Sequence, residues 1–226
     1  MHDLTILSIF RNSATYLDRY AEQVRGVLDA FDGSVRLVWL EGDSVDDTPV
    51  RLASLSCEMN ERYHADVTLS TFGHGGPPYP SIDTPERWRQ LSGVWNRNLA
   101  ELQPTCYAAC IEADLIWQPD DLLTCIKHLD MGICDVAYPL LMLRDTHQFY
   151  DTHANRTPEG QVWSAWPPYA PQWNGKRFVP VQTAGGMVVT HGETLADATW
   201  GETDCVLHFA PETRCVVDMH TWIRHP

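Results

Sequence analysis

The chain has 226 residues, 44% of them apolar, with no repeat or low-complexity tract, which suits a single domain with one sizeable core. Its formal net charge of −14 excludes a basic stripe that binds phosphate backbones by counterion release, so affinity for nucleic acid would have to come from a local site. Seven cysteines show no paired C-x-x-C, no stretch reaches the roughly 18 apolar residues of a membrane span, and the opening "MHDLTILSIF" has neither a basic n-region nor a cleavage site. Cys106, Cys110, Cys125 and Cys134 stand among apolar residues as small buried thiols would. The expectation is a protein of a reducing compartment, cytoplasmic, with no stable membrane association.

Short strand-like runs alternate with helical periodicity. "LTILSIF" (4–10) is β-branched and aromatic; Leu17, Tyr20, Val24 and Leu28 then recur at helical spacing, and Gly33 breaks before "VRLVWL" (35–40). A helix starts near Thr48. Another spans Glu86 to Leu102, with Trp88, Leu91, Trp95, Leu99 and Leu102 on one face, and leads through "QPT" into the strand "CYAACIE". "PDDLLTCIKHL" starts a further helix and "CDVAYPLLML" a further strand. This alternation predicts an α/β fold, a mainly parallel sheet flanked by helices, with its ligand site at the strands' carboxyl ends. "FGHGGPPYPS" (72–81) and "TPEGQVWSAWPPYAPQWNGKRF" (157–178) are expected as loops over that site.

Glu112 and Asp114 leave the strand "CYAACIE" at positions i and i+2. Two carboxylates so placed repel each other and lose hydration unless a cation lies between them, and oxygen ligands of this kind suit Mg2+ or Mn2+. In "EGDSVDDT", Glu41, Asp43 and Ser44 end a strand with acceptors and a hydroxyl that can meet base and ribose edges, or form an Asx-turn capping the next helix. Arg11 and Asn12 end the first strand and could reach the same nucleotide, Asn12 with Ser13 being equally suited to capping. Arg97 is a candidate phosphate partner. Asp151 and Arg156, a carboxylate and a guanidinium after "LLMLRDTHQFYD", could orient a sugar and each other. Trp163, Trp166, Tyr169 and Trp173 lie along the Pro-rich loop, where aromatic faces could stack on a sugar ring or an extruded nucleobase, or fold into a flap. The ten histidines include no H-E-x-x-H, no H-x-H-x-D and no zinc spacing.

"EADLIWQPDDLL" resembles the D-x-D signature "DADxxxxPDxL" of glycosyltransferases of the GT-A fold, with glutamate in place of the first aspartate. "ILSIFRNSATYLDRY" is similar to the first strand and helix of such enzymes. "VRLVWLEGDSVDDTPVRL" resembles their second strand followed by D-x-S-x-D-x-T, and "VWNRNLAEL" the Arg-Asn helix before the metal motif. "FYDTHANRTPEG" resembles one branch, the fungal capsule-associated α-mannosyltransferases. "GETDCVLHF" resembles the acidic motif near the acceptor, and "CVVDMHTWIRHP" the final strand whose histidine completes the metal site.

The resemblance implies a Mn2+- or Mg2+-dependent transfer of a sugar from a nucleotide diphosphate sugar to an acceptor hydroxyl, on a glycan or on a hydroxymethylated base in viral DNA. It implies metal ligation by Glu112, Asp114 and His225, a nucleotide-sugar-binding half over 1–115 and an acceptor-binding half over 116–226. Transfer with inversion requires a carboxylate base at the acceptor hydroxyl, and "GETD" offers Glu202 and Asp204. Asp204, beside the apolar "CVLHF" and matched to an acid that begins a helix in family members, is the expected base, with Glu202 orienting the acceptor. A retaining mechanism, as the mannosyltransferase branch implies, needs neither as a simple base. Two rivals remain. A nucleotidyltransferase acting on sugar phosphates shares the nucleotide and Mg2+ logic but carries a Gly-rich basic loop after its first strand, where "FRNSATY" has no glycine. A non-catalytic nucleotide-sugar-binding module would keep the sheet and lose Asp114, Glu202, Asp204 and His225.

Overall fold

The structure is a computed structural model that describes residues 2–73, 75 and 84–226. In chain order the first elements are β1 (His2–Phe10), α1 (Leu17–Ala30), β2 (Val35–Glu41), α2 (Thr48–Tyr63), β3 (Asp66–Thr71), α3 (Pro85–Leu99), β4 (Thr105–Ile111) and α4 (Pro119–Asp130). There follow β5 (Val136–Leu143), β6 (Phe178–Val181), β7 (Met187–His191), α5 (Gly192–Ala196), β8 (Thr199–Trp200), β9 (Leu207–His208) and β10 (Cys215–His225). Eight strands form one sheet in the order β3-β2-β1-β4-β7-β5-β10-β6, and β8 pairs with β9 in a small hairpin-like ribbon. The strands β3, β2, β1 and β4 run parallel, as do β5 and β10; β7 is antiparallel to both its neighbours, and β6 to β10. This is the mainly parallel α/β sheet that the strand-helix alternation predicts.

The central strands are continuous apolar runs because both faces of the sheet are covered. Leu4 and Ile6 of β1 bury themselves with Tyr20 and Val24 of α1 and Leu122 and Ile126 of α4. Leu7, facing the other way, joins Trp95 of α3 and the aromatic residues Phe149, Trp163 and Tyr169. The expected loop at 157–178 is irregular until β6, but the Trp163 and Tyr169 rings are core. Trp163 is 2% exposed, its ring centroid 5.4 Å from that of Phe149, and the Tyr169 hydroxyl donates to the His147 carbonyl at 2.8 Å.

Several boundaries differ from expectation. The edge strand β3, "DVTLST", carries only Val67 and Leu69 as apolar residues and has no continuous apolar run to announce it. The helix α3 ends at Leu99 rather than Leu102, where the Leu102 N–H bonds the Leu99 carbonyl in a turn. Cys106, near the start of β4, is exposed, while Cys110, Cys125 and Cys134 are buried and all are free thiols. Of the expected loop at 72–81, only residues 72, 73 and 75 are described. Among the described residues no helix is long and apolar enough to cross a membrane.

Two local features set the geometry at the carboxyl ends of the strands. The α3 helix opens with Thr84, whose hydroxyl accepts the Arg87 N–H at 3.2 Å, followed by Pro85 in the first turn. In β10 the register against β5 jumps from Asp218 opposite Pro139 to Trp222 opposite Leu140. The bulge is tied by buried Asp218, which accepts Nε and Nη2 of Arg177 at 3.0 and 2.8 Å, the His220 N–H at 3.0 Å and the Thr221 hydroxyl at 2.8 Å. An inserted segment re-aims every side chain beyond it. Past the bulge, Arg224 exchanges backbone hydrogen bonds of 2.8 Å with Ile116, bringing the end of β10 beside the segment that follows β4.

Candidate active site

A cavity of about 590 Å³ lies at the carboxyl ends of β1, β2 and β4. The α3 residues Arg87, Trp88, Leu91 and Trp95 line it together with residues 150–154 and Gly185, the His153 ring stacking on Trp88. Two glycines permit this closeness. A Cβ on Gly42 would stand 2.2 Å from the Phe72 carbonyl oxygen, and one on Gly185 would stand 1.9 Å from Oδ2 of Asp151. Any side chain at 185 would displace that carboxylate.

Glu112, Asp114, Asp151 and His225 all line the cavity. Nε2 of His225 is 3.4 Å from Oδ2 of Asp114, and the His225 ring stacks on Tyr150 at 3.8 Å between centroids and 10° between planes. Burial works against protonation of His225, but the Asp114 carboxylate outweighs it, and the imidazole pKa is raised. Glu112 is pushed well above the usual carboxylate range, first by burial and then by the charges of Asp114 and Asp151, with Arg87 opposing. Burial likewise raises Asp151, although the Ala154 N–H donates to its Oδ1 at 2.9 Å. Burial also raises the Tyr150 phenol to about 12, with Glu112 adding to the shift. These carboxyls share a site poor in compensating positive charge.

The expected three-residue metal set is only partly assembled. Among the described residues no three His, Cys, Asp or Glu side chains converge tightly enough to enclose an ion. The turn closed by the Leu115 N–H on the Glu112 carbonyl lies between the two acids: Asp114 meets His225, while Glu112, half-buried, feels the charges of Asp114, Asp151 and Arg87. One carboxylate and one imidazole still fit a Mg2+- or Mn2+-type ion that takes its remaining ligands from water and substrate phosphates. The segment is held from behind by α1, where Arg19 Nη2 donates to the Asp114 carbonyl at 2.6 Å and Gln23 Nε2 to that of Leu115 at 3.3 Å.

Arg11, Tyr16, Gly42 and Phe72 also line the cavity. Asn12, Glu41 and Ser44, expected at the nucleotide, bond to one another instead. The Asn12 N–H donates to the Ser44 hydroxyl at 2.9 Å, the Val45 N–H to Asn12 Oδ1 at 2.8 Å, and the Ser44 N–H to Glu41 Oε1 at 3.1 Å. They build the rim behind the cavity, the turn-forming alternative of the sequence. Asp43 adopts a left-handed φ of 53° and accepts the Gly75 N–H at 3.1 Å. Arg97 is exposed, with its guanidinium 5.7 Å from the centre of the Phe72 ring and outside the cavity lining.

Other expected site residues lie outside the lining of the main cavity. Asp204 turns its carboxylate to Nε2 of His208, at 2.9 and 3.1 Å, and borders a smaller adjoining pocket rather than the main cavity. It lies in a turn before β9, not at the start of a helix, and Glu202 is exposed in the same turn. Arg156 borders the smaller pocket too, with Nη1 donating to the Thr152 and Asn155 carbonyls at 3.2 and 3.1 Å. Trp163 is core and has no face for an acceptor; Trp173 packs on Tyr169 and donates Nε1–H to the Lys176 carbonyl at 2.9 Å; Trp166 is 58% exposed. The Pro-rich composition around them concealed that burial. Sequence reasoning missed Arg87, Trp88 and His153. The only sequence signal for Arg87 is the Thr-Pro-Glu start that sets it in the first turn of α3.

No protein-family model matches the chain, and no curated protein sequence matches it. Solved structures do share its fold. Residues 1–349 of S. aureus TarS in complex with UDP align with a TM-score of 0.59 at 10% identity, over 98% of this chain and 60% of that one. The mannosyltransferase PcManGT from Pyrobaculum calidifontis, in complex with GDP-Man and Mn2+, gives 0.60 at 13% identity, over 99% of this chain and 56% of that one. GalNAc-T7 with UDP, GalNAc and Mn2+ gives 0.59 at 9% identity, over 100% and 44%. The chain thus spans about three fifths or less of the length of these structures. A single α/β domain with a mainly parallel sheet between helices, it has the GT-A fold.

Proposed function

We propose that this chain is a metal-dependent glycosyltransferase that moves a hexose from a nucleotide diphosphate sugar to an acceptor hydroxyl. The observation that carries the proposal is the approach of His225 to Asp114 within a cavity at the carboxyl ends of the parallel strands. At about 590 Å³ that cavity is within the range of small-molecule sites, and in open α/β sheets ligands bind at these strand ends. The same fold in PcManGT holds GDP-Man and Mn2+, and in TarS it holds UDP.

In this proposal Asp114 and His225 hold a Mn2+ or Mg2+ ion, with Glu112 behind them. Such an ion supplies positive charge to the diphosphate leaving group. Arg11 lies at the nucleotide end with Tyr16, and Arg87 adds its guanidinium to a site whose carboxylates otherwise repel a phosphate. With Asp204 engaged by His208, Asp151 is the carboxylate placed to take the acceptor proton in an inverting transfer. Burial raises its pKa toward the working pH, which suits a general base. The likeness of "FYDTHANRTPEG" to fungal capsule mannosyltransferases favours a mannosyl donor, and a cytoplasmic setting would let a glycan or a hydroxymethylated base serve as acceptor.

The test is incubation with a panel of UDP- and GDP-sugars and Mn2+, following release of the nucleoside diphosphate. Release from one donor class, abolished by chelation, is expected. Absence of release from every donor would overturn the assignment, and release of pyrophosphate from a nucleoside triphosphate and a sugar phosphate would replace it with nucleotidyl transfer.

A further inference from the structure

A second pocket, of about 180 Å³, adjoins the main cavity and shares His153, Ala154 and Val206 with it as walls. Its other faces carry Arg156, Gln182, Asp204 and His208. The dividing wall is held by contacts on both sides. His153 stacks on Trp88 of the main cavity at 5.1 Å and 30°, and its Nε2 lies 2.8 Å from the Asp204 carbonyl oxygen. Among the described residues Arg156 is held through Nη1 to two carbonyls, which leaves the other edge of its planar guanidinium toward the pocket it lines. Asp204 is held by His208 and by the Val206 N–H at 3.3 Å, and its side chain is 38% exposed. Gly160, at a φ of 84°, has no atom of the structure closer than 3.9 Å to where its Cβ would stand, which leaves that side of the pocket open.

The geometry points to this pocket as a second acceptor subsite, which takes the sugar unit next to the one glycosylated in the main cavity. This inference rests on the glycosyltransferase proposal and goes further, because it names the acceptor as a neutral oligosaccharide. A fixed guanidinium edge, a carboxylate, an amide and an imidazole around a hexose-sized space match vicinal hydroxyls, which donate and accept at once. A nucleic-acid acceptor would bring phosphates flanking the reacting base. Here Arg156 faces Asp204 in the same pocket, and the chain carries a net charge of −14, so that backbone meets no surplus of positive charge.

Transfer is to be measured with the donor found by diphosphate release, to methyl glycosides of mannose, glucose and galactose, to their disaccharides, and to an oligonucleotide containing 5-hydroxymethylcytosine. The expected result is a disaccharide KM about tenfold below that of the matching monosaccharide, as one well-made polar contact set provides. Arg156→Gln, and separately His208→Ala in case loss of the guanidinium unfolds the segment, should shrink that ratio toward one, with folding checked by thermal melting. Equal KM values for mono- and disaccharides in the wild-type enzyme, or transfer to the oligonucleotide alone, would overturn the subsite while leaving the glycosyltransferase proposal standing. Failure of every donor to release diphosphate would overturn both.

Discussion

Asp114 and His225 stand 3.4 Å apart across the cavity, one just past the end of β4 and the other at the end of β10. Neither element pairs with the other in the sheet; the contact exists because β10 bulges at Asp218 and then bridges to Ile116. If this pair holds a divalent ion, Asp114→Asn keeps the shape and loses the charge. Turnover should fall by roughly a hundredfold or more, with the melting temperature little changed. Steady-state diphosphate release checks this; wild-type turnover in Asp114→Asn would remove the residue from the mechanism.

Asp151 and Asp204 can be ranked directly. Asp151→Asn should lower kcat by roughly 10²–10⁴, the usual worth of a general base. Asp204→Asn should lower kcat far less, because its carboxylate is bonded to His208 outside the main cavity. Parallel kinetics of the two variants decide it. A greater kcat loss in Asp204→Asn would return the base role to that residue.

Gly185 gives a steric version of the same test. A methyl group there would stand 1.9 Å from Oδ2 of Asp151, so Gly185→Ala must move that carboxylate. Transfer should fall nearly as far as in Asp151→Asn, while nucleoside diphosphate binding, read by calorimetry, changes little. Normal transfer in Gly185→Ala would mean that the position of Asp151 is immaterial.

The bulge predicts an acid-sensitive stability. Burial opposes ionisation of Asp218, but Arg177, the His220 N–H, His128 and the Thr221 hydroxyl outweigh it and hold its pKa well below the ordinary 3.8. The unfolded chain therefore binds this proton more readily than the folded one. The stabilisation is fully present above the ordinary carboxylate value and is lost progressively as pH falls through the depressed one. Asp218→Asn should cost roughly 1–3 kcal/mol at neutral pH, since it weakens the bonds that buried Thr221 and His128 make to the carboxylate, and the difference from wild type should narrow below pH about 4. Urea unfolding at neutral and acid pH measures both; a constant difference would contradict the assignment.

What could be read from the sequence follows physical lines. The strands β1, β2 and β4 were legible because burial on both faces makes them unbroken apolar runs; β3, an edge strand of mixed polarity, offered no such signal. Glu112 and Asp114 were legible because they end a buried strand. His225 came only from family resemblance, since its meeting with Asp114 depends on a bulge and a bridge remote in sequence. The pairing of Asp204 with His208 is not legible, because Asp204 lies in a turn before β9 whose geometry no periodicity reveals. The burial of Trp163 is not legible because its Pro-rich setting hides a core residue, and Arg87 carries no motif that marks it as part of the cavity lining.

The central claim is tested most directly by thermal unfolding with UDP or GDP, with and without Mn2+, in the wild type and in Asp114→Asn. Ligand that binds only the native state stabilises it by about 2.7 kcal/mol at roughly a hundredfold excess over Kd. The proposal predicts that stabilisation only when Mn2+ is present, and its loss in Asp114→Asn. An equal shift in the presence of a chelator, or one undiminished in Asp114→Asn, would contradict it.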